Sequence, residues 1–423
     1  MTSEKDVEQA GPISYPSYRF IILGFLGLSN VLNSMIVLSL GILLPSITED
    51  LGLSPSEQGW LGSSMFLGSV FLSLPAGLWL SRFSAKRVLL VALSLGSMCV
   101  FLQSWAPVFG VLLLGRLAFG VVMVARQPPR AILTAQWFPR REVVMVNGLV
   151  NSTYGLSAVI IFLLTPYLLL WLDNSWRITL IVYGIAFSVI AVAWAIAGRE
   201  RRAAGDLHVS NNLPGASLLR SAVRHKELWY MSIGMLGVLI MEYALFTFWP
   251  TLMLEKYEIP LTTTGMMLFL AAVVEAVGSM MLAIYLMRLV KREFRRPLVI
   301  ALVILLVGSA VGMMLTDSIP FLFLLVILHG LGFSFMPLVW TIPFELPGMT
   351  SREIAVASGL IETAARGGGV AGPIIAGFLH EASGDLAFSL VITSLFGLSM
   401  AAAAMMLYRK GPDREAVSTV LDA

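Results

Sequence analysis

The sequence predicts an all-α membrane protein of twelve transmembrane helices in two related halves of six, with both termini in the cytoplasm. Three observations carry that prediction. Hydrophobic residues make up 57% of the 423 positions and charged residues only 13%, for a mean hydropathy of +0.85; a soluble chain of this length needs far more polar surface. Apolar runs of about 20 residues, enough to cross the hydrocarbon layer as a helix, recur twelve times. Finally, the second half repeats landmarks of the first, at offsets of 205 to 211 positions.

The spans read, in order, as 20–45, 58–80, 87–105, 108–127, 143–170, 176–198, 228–250, 263–287, 297–315, 319–342, 354–379 and 385–408. The chain therefore divides into a cytoplasmic tail (1–18), a first six-helix unit (19–198), a polar linker (199–226), a second six-helix unit (227–408) and a second tail (409–423). Residues 1–18 lack the apolar core of a secretory signal, so the first apolar run reads as a retained helix.

Orientation follows from the basic residues, because Lys and Arg accumulate in cytoplasmic loops. With the N-terminus inside, 24 of the 28 Lys and Arg fall on the cytoplasmic side and two, Arg177 and Lys256, on the other. The remaining two, Arg116 and Arg366, lie within spans. The basic linker is explained by this topology, so it does not indicate nucleic-acid binding. Cys99 is the only cysteine, which excludes an internal disulfide and a cysteine metal cluster.

The internal repeat has three landmarks. Pro45 and Pro55 correspond to Pro250 and Pro260 at an offset of 205. The basic stretch GLWLSRFSAKRVLLVAL from Gly77 resembles AIYLMRLVKREFRRPLVIAL from Ala283. At an offset of 211, Arg141, Glu142, Gly148 and Leu149 match Arg352, Glu353, Gly359 and Leu360, and Asn151 stands opposite Glu362. The second copy thus carries a charge where the first has an amide.

Several motifs resemble the major facilitator superfamily of secondary transporters, over essentially the whole chain. The loop after span 2 keeps Gly77, Arg82, Lys86 and Arg87 of the family pattern GxLADRxGRR, with Ser81 for the aspartate and Ser84 for the second glycine. Arg116 to Gly120 resembles the RxxQG pattern of span 4, with Phe119 for the glutamine, and Gln136 to Arg141 (QWFPRR) is similar to a loop of nitrate, cyanate and organic-anion groups. The glycine-proline motif of drug antiporters is missing, since Leu156 follows Gly155. The resemblance implies two six-helix bundles around a central cavity, rocking between inward-open and outward-open states about a midplane site.

Charges inside a membrane are costly and should face the cavity or one another. Arg116, Glu242, Glu275, Glu362 and Arg366 fall well within spans, with His329 at similar depth. Arg116 and Arg366 can hold an anion through paired hydrogen bonds. The alternatives are a role in proton coupling or in bracing span 4 for Arg116, which the family resemblance implies, and a self-neutralising pair for Glu362 and Arg366, four residues apart on one face. Glu275, Glu242, Glu362 and His329 are candidates for proton carriage, against the plainer reading of hydrogen-bonded core groups. Asn33, Asn151, Tyr154 and Tyr243 are candidate solute contacts. Gly367, Gly368 and Gly369 admit either a ligand or a neighbouring helix. Trp60, Trp171, Trp176 and Trp249 lie near span ends, where interfacial anchoring is expected.

The reading is a transporter of the cell membrane, acting as a monomer without cofactor or metal. It moves a small anionic solute with proton coupling or by exchange, amid membrane lipids. The competing readings are efflux of a cationic or amphipathic compound on the three glutamates and a non-transporting receptor or assembly factor. No phosphate-binding GxxxxGK[ST] loop or HExxH is present, which argues against an enzyme or an ATP-driven pump.

Overall fold

The computed structural model describes residues 17–70, 80, 83–201, 224–282, 284, 292–345 and 351–407. The first half comprises α1 (Arg19–Leu38), α2 (Leu40–Leu51), α3 (Pro55–Val70), α4 (Ala85–Ser104), α5 (Phe109–Val124), α6 (Gln127–Trp137), α7 (Arg140–Trp171) and α8 (Trp176–Ala197). The second half follows as α9 (Lys226–Tyr257), α10 (Leu261–Met281), α11 (Arg292–Leu315), α12 (Ile319–Phe333), α13 (Met336–Trp340), α14 (Ile342–Glu345), α15 (Ser351–Ser383), α16 (Leu386–Leu395) and α17 (Leu398–Leu407). Ten helical segments among the described residues are long and apolar enough to cross a membrane. Two other expected spans appear as α3, described over 16 residues, and as the 33-residue α15.

Buried apolar side chains form two clusters. One lies within the first half; the other fills the second half and takes in Leu38, Ile42, Leu44, Ile161 and Phe162 across the seam. Those five residues belong to α1, α2 and α7, elements that face the second half. The halves meet where α2 packs on α9, α3 on α15 and α7 on α10.

Prolines and glycines shape these meetings. A proline inside a helix removes the bond to the carbonyl four residues back. Pro45 and Pro250 therefore release the carbonyls of Gly41 and Phe246, and a side chain at Gly41 would collide with that Phe246 carbonyl. In the same way Pro166 releases Phe162, whose carbonyl would stand 2.5 Å from a Cβ at Gly265. Between α3 and α15, a Cβ at Gly59 would lie 2.5 Å from the Pro373 carbonyl and one at Gly377 2.5 Å from that of Pro55. Ser63 donates to the Val370 carbonyl at 2.6 Å, and the Ser56 amide donates to Glu381 at 3.1 Å. All these contacts lie toward the end bearing the α2–α3 turn, where Gly52 (φ 63°) closes α2 in the left-handed conformation.

The structure corrects three expectations. The fourth span does not end at 127, because α5 bends at 125–126 and α6 continues to Trp137, so Arg126 caps the start of α6 and Arg130 sits on helix rather than in a loop. Pro128 and Pro129 favour the new helix start, where the missing amide costs nothing, and Phe138 leaves it extended (ψ 140°). The tenth and twelfth spans hold as Ile319–Trp340 and Leu386–Leu407, but each contains a break, at 334–335 and 396–397, as the first does at Ser39. Trp60 and Trp171 are exposed, as anchors would be, but Trp176 and Trp249 are only 2% exposed and pack inside the protein.

At the other end, residues following α8 are tied to the first half. Glu200 accepts from the Ser84 hydroxyl and from the Ala85 amide at 3.1 Å, capping α4. Partial burial opposes ionisation of Glu200, but these hydrogen bonds outweigh it and hold its carboxyl below the usual range. A depressed folded-state value stabilises the protein above the unfolded-state range and is lost as pH falls through it. Glu200→Gln should therefore lower the melting temperature at pH 7 by a few degrees and by less at pH 4, as thermal unfolding in detergent at both values would show.

Candidate functional site

A cavity of about 420 Å³ lies between the halves, lined by Gln127, Arg130 and Ala131 of α6, Asn147 of α7, and Glu362 and Arg366 of α15. Arg130 reaches the Asn147 carbonyl at 3.5 Å. On the opposite wall Arg366 approaches one oxygen of Glu362 at 3.2 Å through both Nε and Nη2. This pair is not sealed in the core: the Glu362 side chain is 50% exposed and that of Arg366 28%. A guanidinium thus stands on either wall, one from each half.

The helix that carries Arg366 can sit this close to its neighbours because of the glycines that follow. A Cβ at Gly368 would lie 2.5 Å from the Leu236 carbonyl, and one at Gly369 3.0 Å from the Phe66 ring. Of the two roles open to this run, Gly368 and Gly369 serve helix packing, against α9 and α3. Tyr154 of α7 and Tyr243 of α9 bring their hydroxyls within hydrogen-bonding reach, with Glu362 in electrostatic range of both. Tyr243 also packs on Phe66 with ring centroids 4.4 Å apart.

A second polar group lies inside the second half. His329 Nε2 of α12 is 3.2 Å from Oε1 of Glu242 on α9, and Nδ1 lies 3.3 Å from the Leu306 carbonyl of α11. Nδ1 donates to that carbonyl, leaving Nε2 to face the acid, and Glu242 is 3% exposed. Glu275 of α10 interacts electrostatically with both. The structure therefore brings together three of the proposed proton carriers, while Tyr154 lies in electrostatic range of both Glu275 and the fourth, Glu362.

The other expected residues are distributed differently. Arg116 is 3% exposed and does not line the large cavity. Its Nε donates to the Leu61 carbonyl at 3.1 Å and its Nη2 lies 3.3 Å from the Met65 sulfur, beside a void of about 10 Å³, room for one water. Asn33 is half-buried on α1; Asn151 lies on α7, its side chain outside the described residues. Gly77 and Arg82 of the expected gating loop also lie outside them, while Lys86 and Arg87 begin α4. Lys86 gives its carbonyl to Trp194 at 3.0 Å.

Arg130 and Gln127 are the cavity residues that the sequence did not reveal. They were hidden by charge counting, which treats every arginine after an apolar run as a loop residue. The signal that could have found them is the paired proline at 128–129, a helix start ten residues before Phe138-Pro139. Arg126, one turn from Arg130, is also buried and donates to the Ser29 carbonyl.

Residues 26–354 match the family described as Major Facilitator Superfamily. The chain belongs to that superfamily. Its relatives agree with this at low identity. YybO of Bacillus subtilis, an uncharacterised transporter, is 22% identical over 93% of this chain and 94% of its own. The probable galactarate/D-glucarate transporter GudP, from the same organism, is 24% identical over 89% and 88%. A bacterial homologue of the human lysosomal transporter Spinster, solved in an inward-facing and occupied conformation, has the same fold, with TM-score 0.79, 16% identity and coverage of 94% and 100%. This member of the Major Facilitator Superfamily is therefore a multi-pass membrane transporter and not an enzyme.

Proposed function

We propose that the protein is a secondary active transporter moving a small carboxylate-bearing solute across the cell membrane by alternating access, with proton coupling. The reading rests on the cavity between the halves, where Arg130 and Arg366 present guanidinium groups from opposite walls. Such groups recognise carboxylates through parallel hydrogen bonds. GudP, named for two sugar acids, supports the same class, and about 420 Å³ suits a six-carbon acid. Tyr154 and Tyr243, with Asn147 and Gln127, supply hydroxyl and amide partners for such a solute, and Asn33 and Asn151 are further candidates.

Twelve spans and cytoplasmic termini complete the proposal, so the cavity lies toward the cytoplasm and the tight glycine contacts toward the outside. Coupling is assigned to Glu242, His329 and Glu275, and gating to the basic loop of Gly77, Arg82, Lys86 and Arg87. Arg116, buried against backbone, takes a bracing role. One chain holds both walls, so the monomer suffices.

Solute-driven proton flux in proteoliposomes tests this. Galactarate, galactonate and a lipophilic cation are applied to the wild type and to Arg366→Ala. A sugar acid should drive flux, and Arg366→Ala should weaken it about thirtyfold, the cost of losing one hydrogen-bonded charged partner. Flux driven by the cation and retained in Arg366→Ala would move the site onto the glutamates and overturn the proposal.

A further inference from the structure

Within the proposed reading, we infer that Glu362 is a charge filter that sets how many negative charges the solute carries. Its carboxylate sits on Arg366 through both Nε and Nη2 at 3.2 Å, where a solute carboxylate would bind. The lining of the cavity contributes two guanidinium groups and this one carboxylate. With Glu362 ionised, that lining is balanced by a solute of one negative charge. A second carboxylate on the solute would face Glu362 in a space partly shielded from water, where like charges repel strongly.

The arrangement distinguishes this carboxylate from the deeper acids. Glu362 is half exposed to the cavity, whereas Glu242 is 3% exposed and engaged by His329. Glu362 is therefore the acid on the lining of the cavity. The charged and titratable groups facing it are Arg366 on its own helix, Arg130 across the cavity on α6, Tyr154 on α7 and Tyr243 on α9. None of the four supplies a second negative charge at neutral pH. Removing the Glu362 charge should thus help any anion and help a dianion most, since Coulomb energy scales with solute charge.

The preferred solute is accordingly a polyhydroxy acid with a single carboxylate, an aldonate or uronate, in preference to an aldarate with a carboxylate at each end. That choice departs from the substrates for which GudP is named.

The test is equilibrium binding of galactonate and galactarate to purified full-length protein in nanodiscs at pH 7.5. Wild type, Glu362→Gln and Glu362→Asp are compared, with melting temperature recorded for each. Glutamine keeps the shape of a half-exposed side chain, so the fold is retained. Wild type and Glu362→Asp should prefer galactonate, and Glu362→Gln should shift the affinity ratio toward galactarate by about tenfold, the scale of one added charge contact. Should either acid bind while the ratio stays fixed in Glu362→Gln, the filter is refuted and the carboxylate reading stands. A preference for galactarate in the wild type refutes it likewise. Binding of neither acid by any variant would instead refute the carboxylate reading itself.

Discussion

Leucine in place of Gly377 is expected to hold the two halves apart at the end opposite the cavity and to reduce solute uptake at least tenfold. A Cβ there would stand 2.5 Å from the Pro55 carbonyl, and backbone on the facing helix cannot rotate away as a side chain would. Overpacking of this kind costs about 1–3 kcal/mol, and more when the obstacle is rigid. In the proposed alternating-access cycle the cost falls only on the state in which α3 and α15 are in contact, so the equilibrium moves toward the state open at that end by roughly five- to a hundredfold. Transport that needs both states then slows whatever the solute. Spin labels at Trp171 and Leu315, both exposed near that end, read the separation once Cys99, the single native cysteine, is replaced. Gly359→Leu is the control, because a side chain there meets nothing within 4 Å. An unchanged label distance in Gly377→Leu, or an equal change in the control, would show that this glycine does not hold the halves together.

The same contacts mark what was legible in the sequence. Pro45 and Pro250 were visible as a repeat, and hydropathy placed the helices that carry them. What the sequence did not show is that the two prolines serve one contact, releasing the carbonyls of Gly41 and Phe246 where α2 meets α9. Hydropathy reports how much of a helix is apolar but not which side meets protein. For this reason Trp176 and Trp249 resembled interfacial anchors and are buried at 2%. Glu362 and Arg366 were readable as a pair because spacing of four on a helix determines proximity. Arg130 was not, since its place in the cavity depends on a helix restarting at 127 after a bend that apolar composition does not register.

His329 is the residue on which spacing was least informative and whose replacement has the clearest expected consequence. It shares no helix with Glu242, yet α9 and α12 place Nε2 3.2 Å from the acid, with Nδ1 steadied by the Leu306 carbonyl. Without the imidazole, an ionised Glu242 at 3% exposure would be left with no cationic partner among the described contacts. Stranding a buried charge in this way costs about 3–5 kcal/mol, so removal of either partner dismantles the pair to which coupling is assigned. His329→Ala and Glu242→Gln should accordingly share one phenotype. Accumulation driven by a pH gradient falls at least tenfold, while solute counterflow, which the proposed function assigns to the cavity of Arg130 and Arg366, stays within about twofold. Measuring both in the same proteoliposomes separates coupling from binding. If gradient-driven accumulation survives in the two variants, the proton travels elsewhere; if counterflow is lost as well, the cluster supports the solute site and does not couple it.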